Sequence, residues 1–167
     1  LYHKANPVQF FDDGVPGKEF PVFDTPAGKL GVAICYDMDF PKVFRSLVAH
    51  GAEILVVPTF DAESWGKLQH LQHSALAPIR AVEVRRWVVR CASTGTSQVI
   101  DPHGRIHASM LPFKQGLLTG NASLSSAHSF YSLGGWLFGP LCAALTGLYL
   151  VAETFIVISR VFARRKN

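Results

Sequence analysis

One cysteine stands where chemistry could begin. Cys35 closes the apolar run Leu30–Ile34 and is followed at once by Tyr36-Asp37. A thiol there can attack a carbonyl carbon if a base takes its proton or a nearby charge lowers its pKa. The tetrahedral intermediate then needs donors for its oxyanion. The backbone N–H after the nucleophile and an ammonium group are natural ones. On residue type alone the opposite reading is the stronger, because free cysteine is among the most buried residues.

The other chemically capable residues are weaker candidates. Lys4, near one end of the chain, reads by itself as a solvated lysine. His70 and His73 are three apart on one helix face, but no third ligand accompanies them. Arg80 and Glu83, also three apart, suit a structural contact. Trp65 either lines a pocket or packs a loop. Cys91 and Cys142 read as fillers of a core strand and a membrane helix. Three widely spaced cysteines with no CxxC argue against a disulfide framework and against zinc. Asn121-Ala122-Ser123 fits a glycosylation sequon, which matters only in a eukaryotic secretory setting.

Several elements must position these residues. Phe20–Asp24 reads as a short strand, with a turn over Thr25–Lys29. Leu30–Cys35 is continuous and apolar, the pattern of a strand covered on both faces. Pro41–His50 forms a short helix with Val43, Phe44, Leu47 and Val48 on one face, capped by Gly51. Ile54–Pro58 is a second buried strand, and Thr59–Gly66 is a loop carrying Asp61, Glu63 and Trp65. Lys67–Arg86 is helical, with Leu68, Leu71, Ala75, Ile79 and Val82 at helical spacing and a bend or break expected at Pro78. Trp87–Ala92 is a third buried strand. Ser97–Ile100 pairs with Arg105–Ala108 across Asp101-Pro102-His103-Gly104. Leu117–Leu124 makes a last strand. The order predicts an α/β fold with a mixed sheet.

The C-terminal region differs in kind. No Asp, Glu, Lys or Arg occurs from Gln115 to Ala152, in a chain that is 49% hydrophobic. Leu133–Ala152 as a helix spans about 30 Å, the thickness of a bilayer core. Tyr131 and Trp136 lie at its start, where interfacial aromatics belong. Arg160, Arg164, Arg165 and Lys166 follow it, which puts the C-terminus in the cytoplasm and residues 1 to 128 outside. The helix can continue through Ser159, with Glu153 near the inner interface. The net charge of +4 comes partly from this tail, which points to a membrane rather than to nucleic acid. The chain starts with Leu1 rather than Met, so a missing first part is expected.

Gly28-Lys29-Leu30-Gly31-Val32-Ala33-Ile34-Cys35-Tyr36-Asp37 resembles the nucleophile segment of the nitrilase, or carbon–nitrogen hydrolase, superfamily. Other segments fit in order. Tyr2-His3-Lys4, then Pro7-Val8 and Phe10, is similar to the family's lysine motif, with Asp12 where an acidic residue follows. Leu55–Thr59, Asp61-Ala62 and Trp65-Gly66 are similar to the segment after the nucleophile. Gln72-His73, Arg80–Glu83, Arg90–Gly95 and Ser97–Gly104 are similar to the helix, strand and hairpin beyond it. With the apolar span and basic end, the pattern most resembles the apolipoprotein N-acyltransferase branch, a family of membrane enzymes with an extracytoplasmic nitrilase-like domain.

That resemblance implies a partial α-β-β-α sandwich over 1–128, a transmembrane helix over 129–160 and a basic cytoplasmic tail over 161–167. It implies a bacterial inner-membrane location. Cys35 becomes the nucleophile and Lys4 the oxyanion-stabilising cation, with Asp12, Tyr36, Asp37 and Trp65 in support. It calls for no cofactor and no metal. The implied partners are a phospholipid acyl donor, a diacylglyceryl lipoprotein acceptor and the membrane, without nucleic acid. The family's general-base glutamate lies upstream of the lysine, so residues 1–167 alone are expected to be inactive. Rival expectations are a membrane-tethered amidase or nitrilase-type hydrolase, and a non-catalytic member of the fold. Asp37 and Asp12 depart from the glutamate usual at those places, and the loop Phe60–Gly66 is one residue longer than the common form.

Overall fold

A computed structural model describes residues 2–8 and 14–164, with the side chains of 161–164 excepted. Asp12 and Phe10, and Arg165 and Lys166 of the tail, therefore lie outside the described residues. The chain forms two compact units, Leu1–Ser129 and Phe130–Asn167.

The first unit is built on one six-stranded sheet whose spatial order follows the chain. Its strands are β1 (Val22–Thr25), β2 (Gly28–Val32), β3 (Ile54–Thr59), β4 (Trp87–Ala92), β5 (Ser97–Ile100) and β6 (Ile106–Met110). The central trio β2, β3 and β4 is parallel, and the outer pairings are antiparallel. Parallel neighbours need crossovers, here α1 (Pro41–Ala49) and α2 (Gly66–Val84). Two successive right-handed crossovers in one direction place both helices on the same face. Proline at its first position starts α1, and Gly51, at φ 93°, ends it. Gly31 is required where α1 meets the sheet, because a Cβ there would stand 2.7 Å from the Leu55 side chain and 2.8 Å from Ala52. Leu55, Val57, Val88 and Ile100 from the sheet meet Phe44, Leu47, Ala77 and Ala81 from the helices to form the core.

The opposite face is apolar and incompletely covered. In register across it lie Leu30, Ile54 and Trp87, then Val32, Val56 and Val89, then Pro58 and Cys91. These side chains are half-buried, except for Pro58 and Cys91, which are exposed. Cys91 is thus not a core filler, and Leu30–Cys35 is not a strand covered on both faces. The strand ends at Val32, and the chain leaves the sheet before the cysteine.

Three further expectations change. Leu117–Leu124 forms no strand; Gly120 lies against the Val99 side chain and Leu124 against Gly28, so this segment makes side-chain contacts where a strand would pair through its backbone. Of the bend or break expected at Pro78, the break does not occur, because α2 runs unbroken for 19 residues. The apolar row Leu68, Leu71, Ala75, Ile79 and Val82 is the exposed side of that helix. Its buried stripe is His70, His73, Ser74, Ala77, Arg80, Ala81 and Val84. Polar side chains can be buried there because they find partners, as the site makes clear.

The second unit contains α3 (Phe130–Leu133) and α4 (Phe138–Arg164). Gly135–Arg160, with a mean hydropathy of 2.0, is long and apolar enough to cross a membrane. Thr146, Thr154 and Ser159 each donate to the carbonyl four residues back, at 2.8, 2.7 and 2.7 Å. Hydroxyls satisfied inside their own helix suit surroundings without water.

Candidate active site

The sheet releases the chain just before Cys35. Ala33 N–H still donates to the Val56 carbonyl at 3.0 Å, and a short 3-10 helix, Cys35–Asp39, then begins. Cys35 takes φ 51°, the left-handed region. For a residue with a side chain this costs about 1–2 kcal/mol and persists only where the surroundings enforce it.

Asp37 supplies much of that enforcement. Its carboxylate is fully buried. It accepts from Ile34 N–H at 3.1 Å inside the turn. From another part of the chain it accepts Ala5 N–H at 3.3 Å, Asn6 N–H at 2.7 Å and Asn6 Nδ2 at 3.0 Å. One carboxylate thereby fastens the segment just after Lys4 to the turn that carries Cys35. Tyr2 next to it has its hydroxyl pushed up to about 12, first by burial and then by the Asp37 charge.

Lys4, Cys35 and Trp65 line one cleft of about 570 Å³, together with Val8, Ile34, Pro58, Thr59, Phe60 and Ser93. Cys35 is buried, 7% exposed as a residue, and its thiol donates to the Phe60 carbonyl at 3.3 Å. Burial pushes the thiol above the ordinary cysteine range; the Lys4 ammonium and the Tyr36 N–H pull against it, while Asp61 adds to the rise. A buried thiol beside an ammonium needs a base before it can act as a nucleophile. Among the described residues no carboxylate or imidazole accepts from its sulfur. The Tyr36 ring lies edge-on to Phe40, at 5.2 Å between centroids, and is not among the lining residues.

Behind the cleft lies a polar cluster absent from the sequence-based site. Asp61 follows Phe60 and is fully buried. It accepts from His73 Nδ1 at 2.6 Å and from Arg90 at 2.7 Å, and its backbone carbonyl accepts from Thr94. Burial works to raise its carboxyl, but the His73 and Arg90 bonds hold it below the usual range. His70 Nε2 lies 3.0 Å from the Ala62 carbonyl. The two histidines thus face different partners, and among the described residues no group of three could hold a metal. Arg80 pairs with Glu83, the structural contact expected, and also donates to the Met38 carbonyl at 2.9 Å. One signal of this cluster stood in the sequence. Arg90 interrupts the apolar strand WVVRCA, and a buried arginine requires a partner.

Residues 2–131 match the family described as carbon-nitrogen hydrolase. The apolipoprotein N-acyltransferase of Gloeobacter violaceus is 38% identical over 152 residues, 91% of this chain and 29% of that protein. The enzyme of that name from Geobacter metallireducens is 34% identical over 132 residues, 79% of this chain and 25% of the relative. The chain therefore spans less than a third of either relative. A solved structure of a mutant amidase from Nesterenkonia sp. AN1, with the acetamide moiety of fluoroacetamide covalently added at its active site cysteine, is 31% identical. It covers 62% of this chain and 41% of its own, with a TM-score of 0.54. A family match over this span, on a sheet of this topology, makes the chain a member of the carbon-nitrogen hydrolase family.

Proposed function

We propose that the full-length protein is a membrane N-acyltransferase that carries its acyl group on Cys35. The observation that carries this reading is Cys35 and Lys4 in one cleft, on a chain whose relatives bear that enzyme's name. In the first step Cys35 Sγ attacks the ester carbonyl of a phospholipid. A C–S bond forms, the ester C–O bond breaks, and the lysophospholipid leaves as an alcohol once it has taken a proton. In the second step the α-amine of a diacylglyceryl-cysteine attacks the thioester. A C–N bond forms, the C–S bond breaks, and the thiol regains its proton. Lys4 stabilises the oxyanion in both steps.

Two half-reactions suit donors and acceptors that are both confined to a membrane and need not meet. The apolar helix Gly135–Arg160 supports that confinement. The positive end at Arg160 supports a cytoplasmic C-terminus and a catalytic domain on the other side. A reporter fused to the C-terminus and active only outside the cytoplasm would overturn that orientation. Asp12, Tyr36, Asp37 and Trp65 act in support, Trp65 in the cleft and Asp37 behind it.

The test is to replace Cys35 in the complete protein and look for the acyl-enzyme. Cys35→Ala and Cys35→Ser should carry no hydroxylamine-labile acyl group and transfer none. An acylated Cys35→Ala protein would sink the assignment. Lys4→Met should keep substrate binding and lose about 10²–10³ in kcat. Residues 1–167 assayed alone should turn over nothing, because no described side chain is placed to take the thiol proton. The amidase likeness supports a second reading, in which water replaces the amine. Supplying an amine acceptor separates them, since a hydrolase releases free fatty acid at the same rate with or without it.

A further inference from the structure

Three contacts hold the turn that carries Cys35. Asp37 ties it to the Lys4 segment, and Arg80 Nε donates to the Met38 carbonyl. The third involves Asp39, the last residue of the turn. Its Oδ2 is buried and faces His73 Nε2 at 3.5 Å, and neither atom has a hydrogen-bond partner among the described residues. The other nitrogen of that ring is engaged. Nδ1 stands 2.6 Å from Asp61 Oδ1, a distance at which the ring nitrogen carries the proton and donates. One imidazole on α2 thus stands between the last residue of the nucleophile turn and the residue after Phe60. Phe60 is itself the acceptor of the Cys35 thiol.

The charged groups around it are accounted for. Arg90 lies on Asp61 and 3.3 Å from His73 Nδ1. Arg80 acts on Asp39 through its charge and is paired with Glu83. His73 is buried and is not among the residues lining the cleft. Any effect it has on the reaction must pass through the two carboxylates.

We infer that His73 is a positioning residue for Cys35, bridging Asp39 and Asp61 so that the thiol turn and the Phe60–Asp61 loop keep one fixed separation. The inference rests on the reading of Cys35 as the nucleophile. A residue in the left-handed region springs back unless both sides of it are held. Asp37 holds the Lys4 side, and His73 holds the side facing α2. With a proton on Nε2 as well as on Nδ1, a closure of a few tenths of an ångström lets Nε2 donate an ordinary charged hydrogen bond to Asp39.

The test is a double-mutant cycle in the full-length protein. His73→Asn keeps an amide donor for Asp61 and removes the arm to Asp39. Asp39→Asn removes the charge at the other end. Each is expected to lower kcat about tenfold at unchanged KM, and the double variant is expected to be no slower than either. Iodoacetamide alkylation of Cys35 gives the same cycle without an acyl substrate, so failure of the acyl-transfer reading leaves this test standing. There, equal rate changes in the three variants support the bridge. Multiplying effects, a change in KM alone, or native rates in both assays overturn it. Inactive Cys35→Ala beside fully active His73 and Asp39 variants would remove this inference only. Should His73→Asn fail to fold, Asp39→Asn, at a side chain 34% exposed, reads the bridge alone, and native kcat and alkylation in it are the overturning result.

Discussion

Asp37 collects four N–H donors from two separate segments, so its loss is felt in both. Asp37→Ala leaves four half-buried donors without their acceptor, at a cost of about 1 kcal/mol each, and frees the segment carrying Lys4. A fall in melting temperature together with a loss of at least about a hundredfold in kcat is expected, and calorimetry beside a turnover assay reads both. Gly95 is a second pressure point. A Cβ there would overlap Asp61 Oδ2. Gly95→Ala should cost roughly 1–3 kcal/mol by denaturant melting, because Asp61 is held by His73 and Arg90 and cannot retreat. At this scale the sequence was legible unevenly. Cys35 and Lys4 stood out through a resemblance, and Asp37 through its place beside the thiol. Asp61, Phe60, Asn6 and Ser93 did not, because their roles arise only when distant loops meet. Asp61 belongs to a motif, yet its motif says nothing of the ring and guanidinium that enclose it.

The hairpin of β5 and β6 carries a pH dependence of its own. Burial works to raise the Asp101 carboxyl, but His107 at 2.9 Å and the N–H groups of Arg105 and His103 outweigh it and hold it at about 2. That value lies below the unfolded aspartate's, near about 3.9. The stabilisation is therefore whole above about pH 4 and is lost as pH falls towards about 2. Asp101→Asn should flatten the acid limb of stability, as urea melts at a series of pH values would record. Turn chemistry made this hairpin legible, since Asp101-Pro102-His103-Gly104 is a turn on any reading. Strands β3 and β4 were legible too, as short buried runs. The exposure of α2 was not. Periodicity picked out its leucines, whereas burial followed the side chains that hydrogen-bond to Asp61, Ala62 and Met38. The segment Leu117–Leu124 failed for a related reason. Strand-like composition does not distinguish lying against a sheet from joining it.

The whole chain holds two environments, and its cysteines report on each. Cys142 lies within the apolar helix. In sealed vesicles it should resist a membrane-impermeant maleimide and become labelled only on solubilisation and unfolding; ready labelling in intact vesicles would refute a spanning helix. The fastening of residues 125–129 within the first unit was not legible either. Ser125 N–H donates to the Glu53 carbonyl, Arg86 to Ala127 and Ser129 to Glu83, all through backbone carbonyls that composition cannot reveal. The bare side of the sheet was hidden for a like reason, because an apolar strand reads the same whether one face or both are covered. That side has a practical use. Trp87 stands in it, with its ring 5.0 Å from His107. Indole emission moves to shorter wavelength when water is excluded. The difference spectrum between the protein and its Trp87→Phe variant removes Trp65 and Trp136 from view. The sheet thus contains its own optical gauge, one whose colour registers how dry that face is at any moment.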